Sequence, residues 1–321
     1  MSSAEAVLAV IEAAGAHVPA LMDRVEERLV ELVSAHGEVL AEHGGATIAA
    51  GGKRLRPLLV LLAAGPPAGQ EGEDRLLRAA AAVELVHSAT LVHDDVLDGA
   101  RLRRGRPTVF ATGGRLLATA TGDLLFAQAF AELARNARED ELRVLSAAAT
   151  ALAQGELLQR ADAFDAGVSR ERYLRRCDLK TARLFQAACE LGALEGQGPV
   201  EVLGGFGRRI GLAFQVLDDV LDVSGPVERT GKHRGADLVD GTVTLPLILA
   251  READPSLELG VQGPEAAEAL CDRIAATGAL ESARAEALAM VSAAKASLPS
   301  LPEGQRAALE LVADGVVDRF A

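Results

Sequence analysis

Two acid clusters of one form, Asp94-Asp95-Val96-Leu97-Asp98 and Asp218-Asp219-Val220-Leu221-Asp222, sit inside the apolar stretches LVHSATLVHDDVLDG and IGLAFQVLDDVLDV. At 3.6 residues per turn, the first and last carboxylates of each cluster share one helix face. Like charges at that spacing repel, so each helix needs a counter-charge. A single DDxxD is commonly a solvated face, but carboxylates on otherwise apolar helices are costly to bury unless they are paired or bind metal. Hard cations such as Mg²⁺ favour carboxylate oxygens and complete their shells with water or phosphate. Two facing clusters therefore point to a diphosphate held between them.

The rest of the chain supplies helices to carry these clusters. Ala and Leu dominate its 321 residues, with one Tyr, eight Phe and no Trp, a profile of helix formers. Apolar periodicity predicts helices over about 20–42, 46–64, 74–99, 115–136, 139–162, 170–195, 199–223, 242–253, 264–277, 279–297 and 303–319. Breaks fall at Gly and Pro, as in residues 65–72, 103–108, 224–235 and 254–264. No strand alternation persists and no linker separates domains. The expectation is one all-α domain over 1–321, with catalytic motifs in 51–246 and C-terminal helices over 264–319.

The net charge of −13 argues against a nucleic-acid partner, because phosphate backbones require excess Lys and Arg. Cys177, Cys189 and Cys271 are odd in number and lack CxxC pairing, so they read as small buried residues in a reducing cytoplasm. The N-terminus lacks a basic address region, carrying Glu5 and Glu12 in its apolar stretch. No run approaches the ~20 apolar residues of a membrane span. A soluble, cytoplasmic protein is expected.

Cations cluster near the acids. Lys53 and Arg56 lie in GGKRLRP, Arg103 and Arg104 follow the first cluster, Lys180-Thr181 precede ARLFQAA, and Lys232 follows the second cluster. Guanidinium groups fork onto phosphate oxygens and lysine acts as a point charge, so each is a candidate diphosphate clamp.

The ordered series GGKRLRP at 51–57, ELVHSATLVHDDVLD at 84–98, LRRGRPT at 102–108, GDLL at 122–125, QGELLQ at 154–159, LKTARLF at 179–185, GLAFQVLDDVLD at 211–222 and DGTVTLP at 240–246 resembles the polyprenyl synthetase family of trans-isoprenyl diphosphate synthases. The resemblance implies a bundle of antiparallel helices around a deep cavity, a homodimer, and head-to-tail condensation of isopentenyl diphosphate with an allylic diphosphate. The allylic partner is dimethylallyl, geranyl, farnesyl or geranylgeranyl diphosphate. By the same resemblance, Asp94, Asp98 and Asp218 bind three Mg²⁺, while Asp95, Asp219 and Asp222 complete the two motifs. Arg103, Lys180 and Lys232 match allylic diphosphate contacts; Lys53, Arg56, His87 and Arg104 match contacts to isopentenyl diphosphate. Thr181 and Gln215 match positions near the allylic carbon, where their dipoles steady a carbocation.

Three departures stand out: Thr242 replaces a frequent Lys, His233-Arg234 replaces a frequent Pro after the lid Gly-Lys, and VVDRFA ends with only Arg319 as a cation. Arg234 can compensate for the missing charge if its loop folds inward. A class I terpene cyclase is the rival enzyme, disfavoured by the second DDxxD and by 3% aromatic content. An accessory subunit of a heteromeric prenyl synthase is the non-enzymatic rival, disfavoured by two intact acid motifs.

Product length follows from the tunnel wall that the resemblance implies. Ala89 and Thr90, five and four residues before Asp94, are small, and Val86 and Leu85 one turn deeper, ~5.4 Å on, are moderate. With no aromatic floor on this wall, products beyond geranylgeranyl are expected, from hexaprenyl to decaprenyl; a short-chain farnesyl or geranylgeranyl synthase is the alternative. Phe126 and Phe130 on the next helix either face inward or pack in the core.

Overall fold

A computed structural model describes residues 9–10, 12–35, 37–49, 52, 54–103, 105–225, 233–258, 260–261 and 263–318. The helices are α1 (His17–Ser34), α2 (Glu38–Ala49), α3 (Leu55–Ala64), α4 (Gly69–Leu97), α5 (Val109–Ala134), α6 (Glu139–Ala161) and α7 (Arg170–Cys177). They continue with α8 (Arg183–Glu195), α9 (Val200–Ser224), α10 (Ala236–Val239), α11 (Leu245–Ala253), α12 (Pro264–Ala276), α13 (Ala279–Ala296) and α14 (Glu303–Asp318). A π turn, Asp178–Ala182, joins α7 to α8. The all-α expectation holds.

The boundaries correct the periodicity in four places. The helix expected over 20–42 breaks near Gly37 (φ 93°), and that over 46–64 breaks before Leu55, where Arg54 is left-handed (φ 45°). Apolar spacing runs on across such single residues, so periodicity does not see them. Helix α5 gains a first segment from Thr108, whose Oγ1 accepts the Ala111 N–H at 3.0 Å, and kinks at Gly114 (φ 72°), so that its second segment starts at the expected 115. A hairpin forms where no strand was expected: β1 (Leu102–Arg103) pairs antiparallel with β2 (Arg106–Pro107) across Gly105 (φ 74°). It is too short to leave a period-2 signal.

Helix α4 packs along α5, α1 and α8, while α8 also meets α9, α3 and α6. Helix α8 is thus wedged between α4 and α9, the two carriers of the acid clusters, and its π turn lies between α6 and α9. Buried apolar residues from Val10 to Val316 form one continuous cluster. Two glycines set the closest approaches to the π turn. A Cβ on Gly155 of α6 would stand 2.5 Å from Lys180 N, and one on Gly211 of α9 would stand 2.7 Å from Ala182 Cα. Any larger residue there pushes a helix off the site. Among the described residues no helix is long and apolar enough to cross a membrane.

Several buried acids lie away from the clusters, Glu141 among them. Glu141, at the start of α6, is fully buried; burial and the neighbouring Glu195 push its carboxyl up to about 8. Asn136 Nδ2 donates to it at 2.9 Å. Because the folded pKa lies above the unfolded value of 4.5, folding retains a proton in that interval that the unfolded chain releases. Stability should therefore fall as pH rises from about 4.5 towards about 8, then level. Glu141→Gln should flatten that decline in thermal midpoints measured across the range; an unchanged slope would reject the assignment.

Candidate active site

The π turn organises the site. Its Arg183 N–H reaches back to Asp178 O, five residues earlier, and the extra residue per turn re-aims Lys180 and Thr181. Asp178 accepts from Arg183 Nε at 3.1 Å and from Arg208 Nη2 of α9 at 2.9 Å, which fixes the turn against α9. Consecutive side chains then serve opposite clusters. Lys180 engages the first cluster's surroundings, and Thr181 engages the second.

At the first cluster, Lys180 Nζ pairs with Glu156 of α6. Arg160, one turn further along α6, binds Glu156 through Nε at 2.7 Å and Asp98 through Nη2 at 2.5 Å. The hairpin delivers Arg103, whose Nε and Nη2 lie 2.9 and 2.8 Å from Asp95 Oδ1, a buried carboxylate. Burial raises the pKa of Asp94, with Glu156 and Asp98 adding to the rise while Lys180 and Arg103 oppose it. Burial also works on Glu156, but its pairs with Lys180 and Arg160 outweigh it and lower its pKa.

At the second cluster, Thr181 Oγ1 donates to Gln215 Oε1 at 2.6 Å, and Gln215 Nε2 donates to Asp219 Oδ1 at 2.8 Å. The hydroxyl of Tyr173, fully buried on α7, donates to Asp219 Oδ2 at 2.6 Å. Burial, with Asp237 nearby, pushes the Asp219 carboxyl up to about 7 despite these donors. Asp219 therefore faces inward as a structural brace, whereas Asp218 is exposed at the site. Asp222 Oδ2 accepts the Asp237 N–H at 3.3 Å, tying α10 to the end of α9.

Arg56 opens α3 and stacks its guanidinium over the Phe185 ring, 4.6 Å from the centroid. Its neighbour Arg54 is held from three sides. Arg54 is buried and bonds Glu84 of α4 at 2.8 Å and Ile48 O at 2.7 Å, and it also pairs with Glu26. His87 is half-buried on α4, and its carbonyl accepts from Thr90 Oγ1 at 2.7 Å. Ala89 is fully buried beside them. Lys53, Arg104 and Lys232 lie outside the described residues.

Phe126 stacks on His93 with centroids 5.9 Å apart, and the His93 ring occupies the space that Gly122 leaves. Both Phe126 and Phe130 pack, partly buried, against the core. Arg234 does not turn inward: it binds Asp272 at 2.6 Å and also the Val223 carbonyl. It cannot replace the charge missing at Thr242 while it caps α9. Sequence reasoning passed over Glu156, Arg160, Tyr173 and the Arg54–Glu84 pair. Glu156 lies within QGELLQ, Arg54 within GGKRLRP and Glu84 at the head of ELVHSATLVHDDVLD, whereas no motif marks Arg160 or Tyr173.

Among the described residues, no three of His, Cys, Asp and Glu are grouped closely enough to hold an ion alone. The donor set still fits Mg²⁺, which takes one or two carboxylates and leaves other positions to water and phosphate. Burial, with Glu156 and Asp98 beside it, raises the Asp94 carboxyl, so added positive charge there is favourable.

An all-α bundle that brings paired acid clusters and cations around one turn defines a helical site for a polyanion and hard cations. Residues 38–272 match the model of the polyprenyl synthetase family. The chain is 35% identical over 294 residues to the octaprenyl diphosphate synthase of Escherichia coli, covering 88% of this chain and 90% of that protein. It is 42% identical over 229 residues to heptaprenyl diphosphate synthase component 2 of Geobacillus stearothermophilus, covering 70% and 71%. Its fold is similar to the polyprenyl synthase of Caulobacter crescentus crystallised with calcium and isoprenyl diphosphate: TM-score 0.89, 35% identity, 97% and 98% of the two chains covered. The chain belongs to the polyprenyl synthetase family.

Proposed function

We propose that the protein is a Mg²⁺-dependent trans-prenyltransferase. It condenses isopentenyl diphosphate head to tail with an allylic diphosphate, releasing diphosphate and giving polyprenyl products longer than geranylgeranyl. The observation that carries this is the π turn, which presents Lys180 to one acid cluster and Thr181 to the other within a family fold. The relatives named octaprenyl and heptaprenyl diphosphate synthase support the product range.

Asp94, Asp98 and Asp218 would hold the metal, and the chemistry it supplies when bound is neutralisation of the departing diphosphate. Lys180 and Arg103 position that diphosphate and oppose its growing charge. Thr181 and Gln215 turn hydroxyl and carbonyl dipoles towards the allylic carbon. Arg56, with His87, Lys53 and Arg104, holds isopentenyl diphosphate so that its double bond lies close to the cation, and proximity lowers the barrier. No protein base is required, since the released diphosphate can take the proton.

The two diphosphate pockets should separate kinetically. Arg56→Ala should chiefly raise KM for isopentenyl diphosphate, and Lys180→Ala should chiefly impair the allylic partner. Each loses a charge-assisted contact, worth about 1.5–3 kcal/mol or ~10–100-fold. Equal effects on both substrates in both variants would refute the separation.

The working unit is proposed to be one domain and a homodimer. Helix α5 turns Leu116, Ala120, Ala127 and Ala131 outward along one side, and Leu116 is 85% exposed. The likeness to a protein named as a component raises the alternative of a heteromeric enzyme. Diphosphate release by the purified chain alone, with isopentenyl diphosphate and an allylic primer, tests the heteromeric alternative. Turnover that requires Mg²⁺ and stops with EDTA is expected; a chain inert until a second protein is added contradicts it.

A further inference from the structure

Arg160 sits between two carboxylates beside the first cluster. Its guanidinium bridges two α6–α4 carboxylates, Glu156 at 2.7 Å and Asp98 at 2.5 Å, and Asp98 ends the helix that carries the first cluster. Lys180 takes the other oxygen of Glu156, so Glu156 is a hub between two cations. Arg103 binds Asp95 Oδ1 through Nε and Nη2. Each of these cations therefore has a carboxylate partner within the protein. Arg160 differs from the others because its partner, Asp98, is one of the carboxylates assigned above to the metal.

We propose that Arg160 is a displaceable counter-cation that holds Asp98 until a divalent ion takes it, and so sets how much metal the first cluster requires. This rests on the metal reading of Asp98 given above. A guanidinium on Asp98 Oδ1 occupies an oxygen that the ion needs, and its charge repels the ion at short range. Both effects weaken metal binding. Arg160 and Asp98 are each more than one-third exposed, so the pair is a surface bridge and its competition is modest. On displacement, Glu156 remains as a tether for the Arg160 side chain. The freed guanidinium then stays at the rim of the site, where a diphosphate oxygen can replace Asp98 as its partner.

Mn²⁺ binding to the full-length protein without substrate, followed by loss of the free-ion electron paramagnetic resonance signal, tests the proposal. Arg160→Gln should bind Mn²⁺ about 5-fold more tightly than wild type, the scale of one partly exposed ion pair. Arg160→Lys, which keeps the charge but not the two-carboxylate fork, should fall between them. Asp98→Asn added to Arg160→Gln should erase the gain. A structural role for Arg160 would only weaken binding, so tightening separates the two. Unchanged or weaker Mn²⁺ affinity in Arg160→Gln overturns the proposal. If instead Asp94→Ala leaves Mn²⁺ binding of the wild type intact, the metal reading of the cluster fails and the proposal falls with it.

Discussion

Replacing Asp94 or Asp218 by Ala should lower kcat by at least ~10²–10³-fold, the scale of losing one preorganised electrostatic group, while leaving the fold intact. The stability half of this result separates a metal site from a structural one. Asp94 is a carboxylate raised by burial with Glu156 and Asp98 beside it, so its removal relieves desolvation and repulsion. The thermal midpoint of Asp94→Ala should match or exceed that of the wild type without metal. Asp218 is exposed, so its removal opens no core cavity and should leave thermal unfolding cooperative. Asp219 is the internal contrast: Asp219→Ala leaves Tyr173 and Gln215 without their buried acceptor and should destabilise the protein. Full activity in Asp94→Ala or Asp218→Ala would remove the clusters from the mechanism.

Ala89→Phe should shift the product spectrum from the hexaprenyl–decaprenyl range to geranylgeranyl or shorter, without abolishing the first condensation. Ala89 is fully buried on α4, between His87 and the first cluster, with Val86 and Leu85 also buried one turn earlier, and we propose that this face lines the elongation tunnel. On that proposal a phenyl ring there would block elongation while leaving the reacting carbons untouched. Phe126 is not placed to do this alone, because its ring is stacked on His93. An unchanged product spectrum in a folded Ala89→Phe protein would locate the floor elsewhere.

The parts of the site visible in the sequence were those written in local spacing. The two DDxxD clusters, Lys180-Thr181, Gln215 and Arg103 can be read from short motifs, and the structure brings Thr181 to Gln215 and Arg103 to Asp95. Long helices were legible for the same reason: α6, α9, α12 and α13 run within a few residues of their expected bounds, because apolar periodicity over many turns is a strong signal. What the sequence hid depends on contacts between distant segments. Arg160 and Asp98 lie 62 residues apart, and Tyr173 and Asp219 46 apart, so no motif window contains either pair. The Arg103 hairpin and the breaks at Gly37 and Arg54 turn on one or two backbone angles. Arg234 shows the converse error. Its charge could be read from the sequence, but its direction is set by Asp272 and the Val223 carbonyl, which only the fold brings near.

The most direct test of the central claim is mass analysis of the products formed by the purified chain from isopentenyl diphosphate and Mg²⁺, with each allylic primer supplied in turn. All-trans polyprenyl diphosphates in the hexaprenyl–decaprenyl range are predicted. The absence of any condensation product, or a product no longer than farnesyl from every primer, would contradict the account.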